Sequence, residues 1–229
     1  TKSVYVVNGA VNRDWEDIAL DENNNIWAAE TGDNSQVWND YSFYVFPEPD
    51  PYAGGGMSAQ STKYTFIYPD GKKDSEATFI WQGHPYFVQK RPTNARVYWL
   101  GELNASRTVT AEFVGEFNNA NNWITGADIS RDGRRLALIH DGNDSHWIIE
   151  RNVFSDSIND FFRIPLSQWR INFANGQGEA ISFVNGSYDF VVANEEGNFW
   201  RVNQGQYDNV TNCSNGAINS LCKCGVGNY

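Results

Sequence analysis

From Trp15 to Tyr68 the chain is a succession of short β-type runs, in which apolar and polar side chains alternate or aromatic and β-branched residues follow one another. They read WEDIAL, NIWAAE, YSFYVF and TKYTFIY, with polar or glycine-rich turns between them. The rhythm returns as EATFIW, PYFVQK, ARVYWL and TVTAEFVGEF, then as GADIS, RRLALIH, HWIIERNV and FFRIPL. A last, shorter set reads EAISFV, YDFVVA and NFWRVN. A period of two with turn signals such as SRDG and VNGS predicts strands joined by tight hairpins. Only SDSINDFF, residues 155–162, reads as a helical turn.

An acid recurs at the head of the first strand of each set: Glu16, Glu76, Asp128 and Glu179, at intervals of 60, 52 and 51 residues. The longer first interval carries the Pro- and Gly-rich stretch PEPDPYAGGGMSAQS. Four strands per repeat describe propeller blades. The fourth set lacks one strand, and SVYVVNG at 3–9 is available to complete it beside NFWRVN, which would leave no free sheet edge. The expected fold is therefore all-β: a four-bladed β-propeller over residues 1–203, its last blade closed by the N-terminal strand. Residues 204–229, rich in Asn, Gly and Cys, are expected to form an irregular tail.

The ordered series NRDWEDIAL, AAETGDN, YPDGKKDSEA, TGADISRDGRRLAL and GQGEAIS resembles a family of exported bacterial β-propeller proteins. Their blades carry DWEDIA, GDIGDN, YPDGxxDAEAL, TGADxSPDG and QGEAI in the same order, and the resemblance covers roughly residues 12–200. In that family a further blade precedes the DWEDIA segment. The resemblance thus leaves a fragment of a five-bladed propeller, or a complete one, as the alternative to four-bladed closure. It implies a fold and export, and no activity.

Charge narrows the partners. With 28 acidic and 17 basic residues the net charge is −11, which repels phosphate backbones and anionic lipid surfaces. No nucleic acid and no membrane insertion are expected, since no apolar run nears the roughly 20 residues that span a bilayer. The chain starts at Thr1 without an initiator Met, as a processed secreted protein would. Five sequons, at Asn104, Asn143, Asn185, Asn209 and Asn212, point the same way, to an extracellular glycoprotein. Cys213, Cys222 and Cys224 crowd the last seventeen residues. An oxidising compartment would form one disulfide there, leaving a thiol over or bridging chains.

Innermost propeller strands line an axial channel, so Glu16, Asp17, Glu76, Asp128 and Glu179 are expected near one axis. Glu30, Asp33, Asn34, Asp141 and Glu195 are expected at the same face as ligand-binding residues. Carboxylates so close must bind a cation, hold protons, or bond to backbone N–H groups of the next blade. A hard ion held by carboxylate and amide oxygens points to Ca²⁺. Lys90 and His140 are the catalytic candidates if the same channel mouth is a metal-dependent hydrolase. His84 reads as a loop residue. Trp38 and Trp123, flanked by Asn and Asp, are candidates for stacking on carbohydrate. The preferred function is a secreted, cation-binding propeller for extracellular binding, adhesion or assembly, with carbohydrate or the chain itself as partner.

Overall fold

The computed structural model describes residues 4–50, 52, 58–91, 93–118, 123–141, 145–150, 157–163, 167–170 and 177–204. The chain divides into two compact units, residues 1–90 with 97–114, and residues 91–96 with 115–229. Both are all-β and built from propeller-type blades, and the described residues of the second include a helical turn.

The first unit opens with β1 (Val6–Asn8), followed by β2 (Trp15–Leu20), β3 (Asn25–Glu30), β4 (Tyr41–Pro47), β5 (Ser58–Gln60) and β6 (Thr62–Ile67). Strands β2, β3, β4 and β6 form an antiparallel meander. The next blade comprises β7 (Ser75–Trp81), β8 (His84–Gln89), β9 (Ala95–Trp99), the short β10 (Val109–Thr110) and β11 (Glu112–Phe117). Its sheet order is β7-β8-β9-β11, while β10 adds to the edge of β6. The hairpin between β7 and β8 turns on Gln82 and Gly83, whose φ values of 52° and 76° suit the mirror-image turn that a two-residue hairpin needs.

The core of this unit is aromatic. Phe43, Phe66 and Phe87 are fully buried, with ring centroids 4.7–5.6 Å apart, and Tyr41, Tyr68 and Tyr98 pack around them. Each such ring contributes about 1.5–3 kcal/mol by leaving water, so the two blades are held chiefly by this layer.

The second unit contains β12 (Ile124–Ile129), β13 (Arg135–His140), β14 (Ser145–Glu150), α1 (Asn159–Arg163) and β15 (Ser167–Arg170), which make one four-stranded sheet and a helical turn. It continues with β16 (Gly178–Phe183), β17 (Phe190–Asn194) and β18 (Phe199–Val202), a three-stranded sheet. Ala137 and Ile139 pack against Ile181, Phe190, Val192 and Val202.

Two expectations are corrected. SVYVVNG does not add to β18: β1 pairs in parallel with β5, Val6 opposite Ser58 and Asn8 opposite Gln60. Only residues 9–14 separate β1 from β2, so it stays near its own blade. There Val7, Ala10 and Ala59 cover the apolar face formed by Ala28, Tyr44 and Phe46, and Ser61 donates to the Asn8 carbonyl through both its N–H and its hydroxyl. The described part of FFRIPL is not a strand, and its residues 164–166 lie outside the described residues. Phe161, Phe162 and Arg163 lie in α1, and the strand is SQWR at 167–170.

Every first strand enters its sheet with a residue too many. Glu16 and Asp17 together oppose Ala29, because Trp15 pairs with Glu30 and Ile18 with Ala28. Glu76 is the extra residue between Ser75 and Ala77, Thr125 between Ile124 and Gly126, and Glu179 between Gly178 and Ala180. These are β-bulges, which leave one residue outside the ladder and re-aim its side chain. The third blade thus places Thr125, not Asp128, at the position of Glu76 and Glu179.

Asp17 and Asp128 join neighbouring blades. Asp17 accepts from the Ile18 N–H at 2.8 Å and, across to the next blade, from the Thr78 N–H at 2.8 Å. Asp128 does the same for Ile129 and Phe183, at 2.8 and 2.7 Å, and takes the Ser182 hydroxyl at 3.0 Å. Asp17→Ala would leave two backbone donors unmet, at about 1–3 kcal/mol each where they are buried. Urea unfolding is expected to show a clear loss of stability for Asp17→Ala and a smaller one for Asp17→Asn, which retains one acceptor oxygen. An Ala variant as stable as the parent would remove the inter-blade role.

Candidate functional site

Two Asp-x-Glu triplets build the site, Asp14-Trp15-Glu16 at the entry to β2 and Asp74-Ser75-Glu76 at the entry to β7. The carboxylate oxygens of Glu16, Asp74 and Glu76 lie within 4.8 Å of one another. Asp74 and Glu76 are 5% and 4% exposed, whereas Asp14 and Glu16 are half-buried.

Backbone pairing brings the two strand entries together. Ser75 N–H donates to the Thr31 carbonyl at 3.2 Å, and the Thr31 hydroxyl donates back to the Ser75 carbonyl at 2.7 Å. Asp33 N–H donates to Asp74 Oδ1 at 2.8 Å. Gly32 then passes so close to Glu16 that a Cβ there would lie 1.9 Å from Glu16 Oε1 and 2.8 Å from Asp14 Oδ2. Only glycine leaves that carboxylate its place.

One cation is built in. Lys90 Nζ, at the end of β8, donates to Glu76 Oε1 at 2.6 Å, and its backbone N–H donates to the Asp74 carbonyl at 2.9 Å. A single ammonium does not balance four acids. Burial, then the charges of Glu76, Asp14 and Asp74, push Glu16 up to about 8 against the opposing pull of Lys90. Burial pushes Glu76 up to about 7, although the hydrogen bond and charge of Lys90 hold it down. Asp14 is raised by burial first and by Asp74, Glu30 and Asp33 after it.

The other expected residues are placed elsewhere. Glu30 braces the start of β2: its Oε1 accepts the N–H groups of Arg13 and Asp14 at 2.8 Å, and its Oε2 the Trp15 indole at 3.2 Å. Asp33 accepts the N–H groups of Val37 and Trp38 and the Tyr41 hydroxyl. ETGDN is therefore a hydrogen-bonded turn, and Asn34 is exposed beside it. In the second unit Asp128 is spent on the bonds given above. Burial still outweighs them and holds its carboxyl up to about 6. Glu179 is half-buried at its bulge, and Glu195 is exposed with its N–H on the Gln177 carbonyl. Asp141 donates its N–H to the Trp123 carbonyl at 3.0 Å. His140 is 1% exposed in β13, out of reach of solvent. His84 begins β8 rather than a loop, with Nδ1 2.8 Å from the Leu100 carbonyl oxygen.

Asn104 and Asn185 are the sequons within the described residues. Asn104 caps a turn by accepting the Ser106 N–H, and Asn185 is exposed between β16 and β17 with its oxygen on Arg131. Asn143, Asn209, Asn212, Cys213, Cys222, Cys224 and the tail from residue 205 lie outside the described residues.

Asp14 and Asp74 do not stand out when the acids are aligned singly. The signal that finds them is the Asp-x-Glu triplet repeated ahead of two β-type runs, Asp14-Trp15-Glu16 and Asp74-Ser75-Glu76.

No protein-family model matches the chain, and no curated protein matches it in sequence. Among solved structures it is similar to the hydrazine synthase of Kuenenia stuttgartiensis, with 11% identity and a TM-score of 0.45 over 87% of this chain and 50% of that one. It is similar also to the Dos1 propeller, with 10% identity and a TM-score of 0.42 over 82% and 56%. A luciferin-regenerating enzyme shares 10% identity and a TM-score of 0.46 over 85% and 73%. The chain thus spans about half the length of the first two. At this level of likeness the site is read from its own chemistry.

Both shifted glutamates bind protons more tightly folded than unfolded. Without a cation, their contribution to stability is fully present below their unfolded value of roughly 4.3 and is lost as pH rises through about 7 and about 8. In chelator, the melting temperature is expected to fall from pH 5 to pH 8.5. Glu16→Gln, which keeps the shape and removes the charge, should flatten that slope, with a gain on the order of 1 kcal/mol at the alkaline end after solvent screening. A parent whose stability rises over this range would contradict the assignment.

Proposed function

We propose that this chain is part of an exported propeller that binds a hard divalent cation, Ca²⁺, between its two Asp-x-Glu triplets and serves extracellular binding or assembly. The observation that carries the proposal is the set of Glu16, Asp74 and Glu76 oxygens within 4.8 Å of one another. Oxygens on opposite sides of a Ca²⁺ held at about 2.3–2.6 Å stand roughly twice that distance apart, so the group is of the right size. The donor chemistry fits as well, with carboxylates alone, no sulfur or imidazole, and Asp14 adjoining. Lys90 already meets part of the need for positive charge, and Gly32 leaves the Glu16 carboxylate room.

The likeness to propellers supports a binding or scaffold role over any particular reaction. Ring closure and blade number, four or five, belong to the same proposal, as do glycosylation at Asn104 and Asn185 and secretion. Trp123, 46% exposed, offers a ring to a carbohydrate, whereas Trp38 has the Arg13 guanidinium 4.2 Å above its ring. Among the described residues no helix is long and apolar enough to cross a membrane. The hydrolase reading keeps Lys90, and the burial of His140 weighs against it.

Chelator followed by Ca²⁺ titration tests the proposal by calorimetry and thermal melting. Excess Ca²⁺ is expected to stabilise the protein by about 1.4 kcal/mol per tenfold of concentration above the dissociation constant, or roughly 3–6 °C. Asp74→Asn and Glu76→Gln should each lose most of that gain while the sheets stay folded. A melt indifferent to chelator and Ca²⁺, together with the pH slope above, would leave proton sharing as the role of the group and end the cation proposal.

A further inference from the structure

At the end of the second blade away from the acids, five rings share one face of the sheet. Trp81 of β7 pairs with His84 of β8, Phe79 with Tyr86, and Tyr86 in turn with Trp99 of β9, and directly opposed residues lie on the same face. Between centroids, the Tyr86 ring is 5.2 Å from Phe79, 6.0 Å from Trp81 and 5.5 Å from Trp99, and His84 is 5.3 Å from Trp99. Phe79 and Tyr86 are buried, whereas Trp81, His84 and Trp99 are half-buried. Trp81 stands about 20 Å along β7 from the acidic entry of that strand, so the two places are separate.

Three polar groups belong to this cluster. Tyr86 is 3% exposed, yet its hydroxyl has no hydrogen-bond partner among the described residues. Burial pushes that hydroxyl up to about 12, so it keeps its hydrogen to donate. Packing alone would be served by phenylalanine, because a buried hydroxyl costs free energy unless it is bonded. His84 Nδ1 lies 2.8 Å from the Leu100 carbonyl oxygen. A carbonyl only accepts, so in the neutral ring Nδ1 carries the hydrogen and Nε2 is the acceptor. The third group is Glu112: a Cβ on Gly101 would lie 2.9 Å from Glu112 Oε1 and 3.0 Å from Trp99 Cζ2. With no side chain on Gly101, the exposed Glu112 stands beside the Trp99 indole.

We propose that this face binds a neutral β-linked hexose chain. In such a sugar the ring substituents lie equatorial, which leaves flat faces of C–H groups and a border of hydroxyls. The C–H faces suit the electron-rich faces of Trp81 and Trp99, and Phe79 and Tyr86 pack beside them and hold both indoles in place before any ligand arrives. The border hydroxyls are donors, and His84 Nε2, Glu112 and the Tyr86 oxygen are acceptors for them. The Tyr86 hydrogen is left for a ring or linkage oxygen. None of these side chains is a cation, and the chain carries a net charge of −11, so an acidic sugar is repelled. The site goes beyond the cation reading: it needs no metal and adds a ligand of its own.

Titration calorimetry of the full chain with cellohexaose, laminarihexaose and chitohexaose tests the site. Run in chelator, it reads this face whether or not the acidic group holds Ca²⁺. At least one of the three is expected to bind saturably, with an affinity indifferent to salt and a change in tryptophan fluorescence. Trp99→Ala should abolish binding. Tyr86→Phe and Glu112→Ala, which spare the packing, should each weaken it several-fold at an unchanged melting temperature. Trp123→Ala, in the second unit, should leave it as in the parent. The proposal is overturned if none of the three sugars binds at millimolar concentration, or if Tyr86→Phe and Glu112→Ala both bind like the parent. Binding that is lost in Trp123→Ala and kept in a folded Trp99→Ala would overturn it as well.

Discussion

The extra residue at the head of each first strand is the constraint on which the rest of the molecule depends. A bulge breaks the hydrogen-bond ladder at the entry to the sheet and turns one side chain out of the regular alternation. The backbone groups it frees must be satisfied from elsewhere. In both units a threonine of the preceding blade does part of this, Thr31 on the Ser75 carbonyl and Thr125 on the Gly178 carbonyl, at 2.7 and 2.6 Å. Asp17 and Asp128 then fasten the following strand. The blades are joined at the points where their own ladders are interrupted.

The same device explains why chemistry gathers at two bulges and not four. In the first unit both strand entries carry Asp-x-Glu, so two bulges facing each other present four carboxylates to a small volume. In the second unit the corresponding positions hold Thr125 and Glu179, and the nearby Asp128 is consumed by hydrogen bonds. Burying like charges opposes folding. Lys90 offsets part of the cost, and Glu16 and Glu76 stay raised in spite of it, burial being the largest cause for both. The aromatic layer of Phe43, Phe66 and Phe87 supplies the stability that lets a cluster with unspent charge persist. The distinction between structural and functional acids thus rests on how many backbone donors reach each carboxylate: two reach each of Glu30, Asp33, Asp17 and Asp128, and one, the Asp33 N–H, reaches Asp74.

Much of this was legible before any coordinates. Period-two runs and turn signals located the strands of both units, because a half-buried pleated sheet imposes that alternation directly on the residues. SDSINDFF overlaps the helical turn α1, and Phe161 and Phe162 fall in that turn and not in a strand because a short apolar run fits either. The error over Asp128 has the same root. Aligning acids by sequence takes the acid as the mark of the register, whereas the bulge of the third blade falls on Thr125, three residues before Asp128, and a bulge leaves no mark in a one-dimensional pattern.

Partners across space were beyond the sequence. SVYVVNG carries a strand pattern and no mark of which edge it meets. Its pairing with Ser58–Gln60 follows from a short connection and an apolar face left by Ala28, Tyr44 and Phe46. The order, type and alternation of the elements were determined by the chain itself, since they depend on neighbours one to four residues away. Which acids share a volume, which are met by backbone donors, and where Lys90 rests were decided only by the tertiary structure. Charge and desolvation act through distance, and Glu16 and Glu76 are close only because two sheets pack through rings that lie elsewhere in the chain.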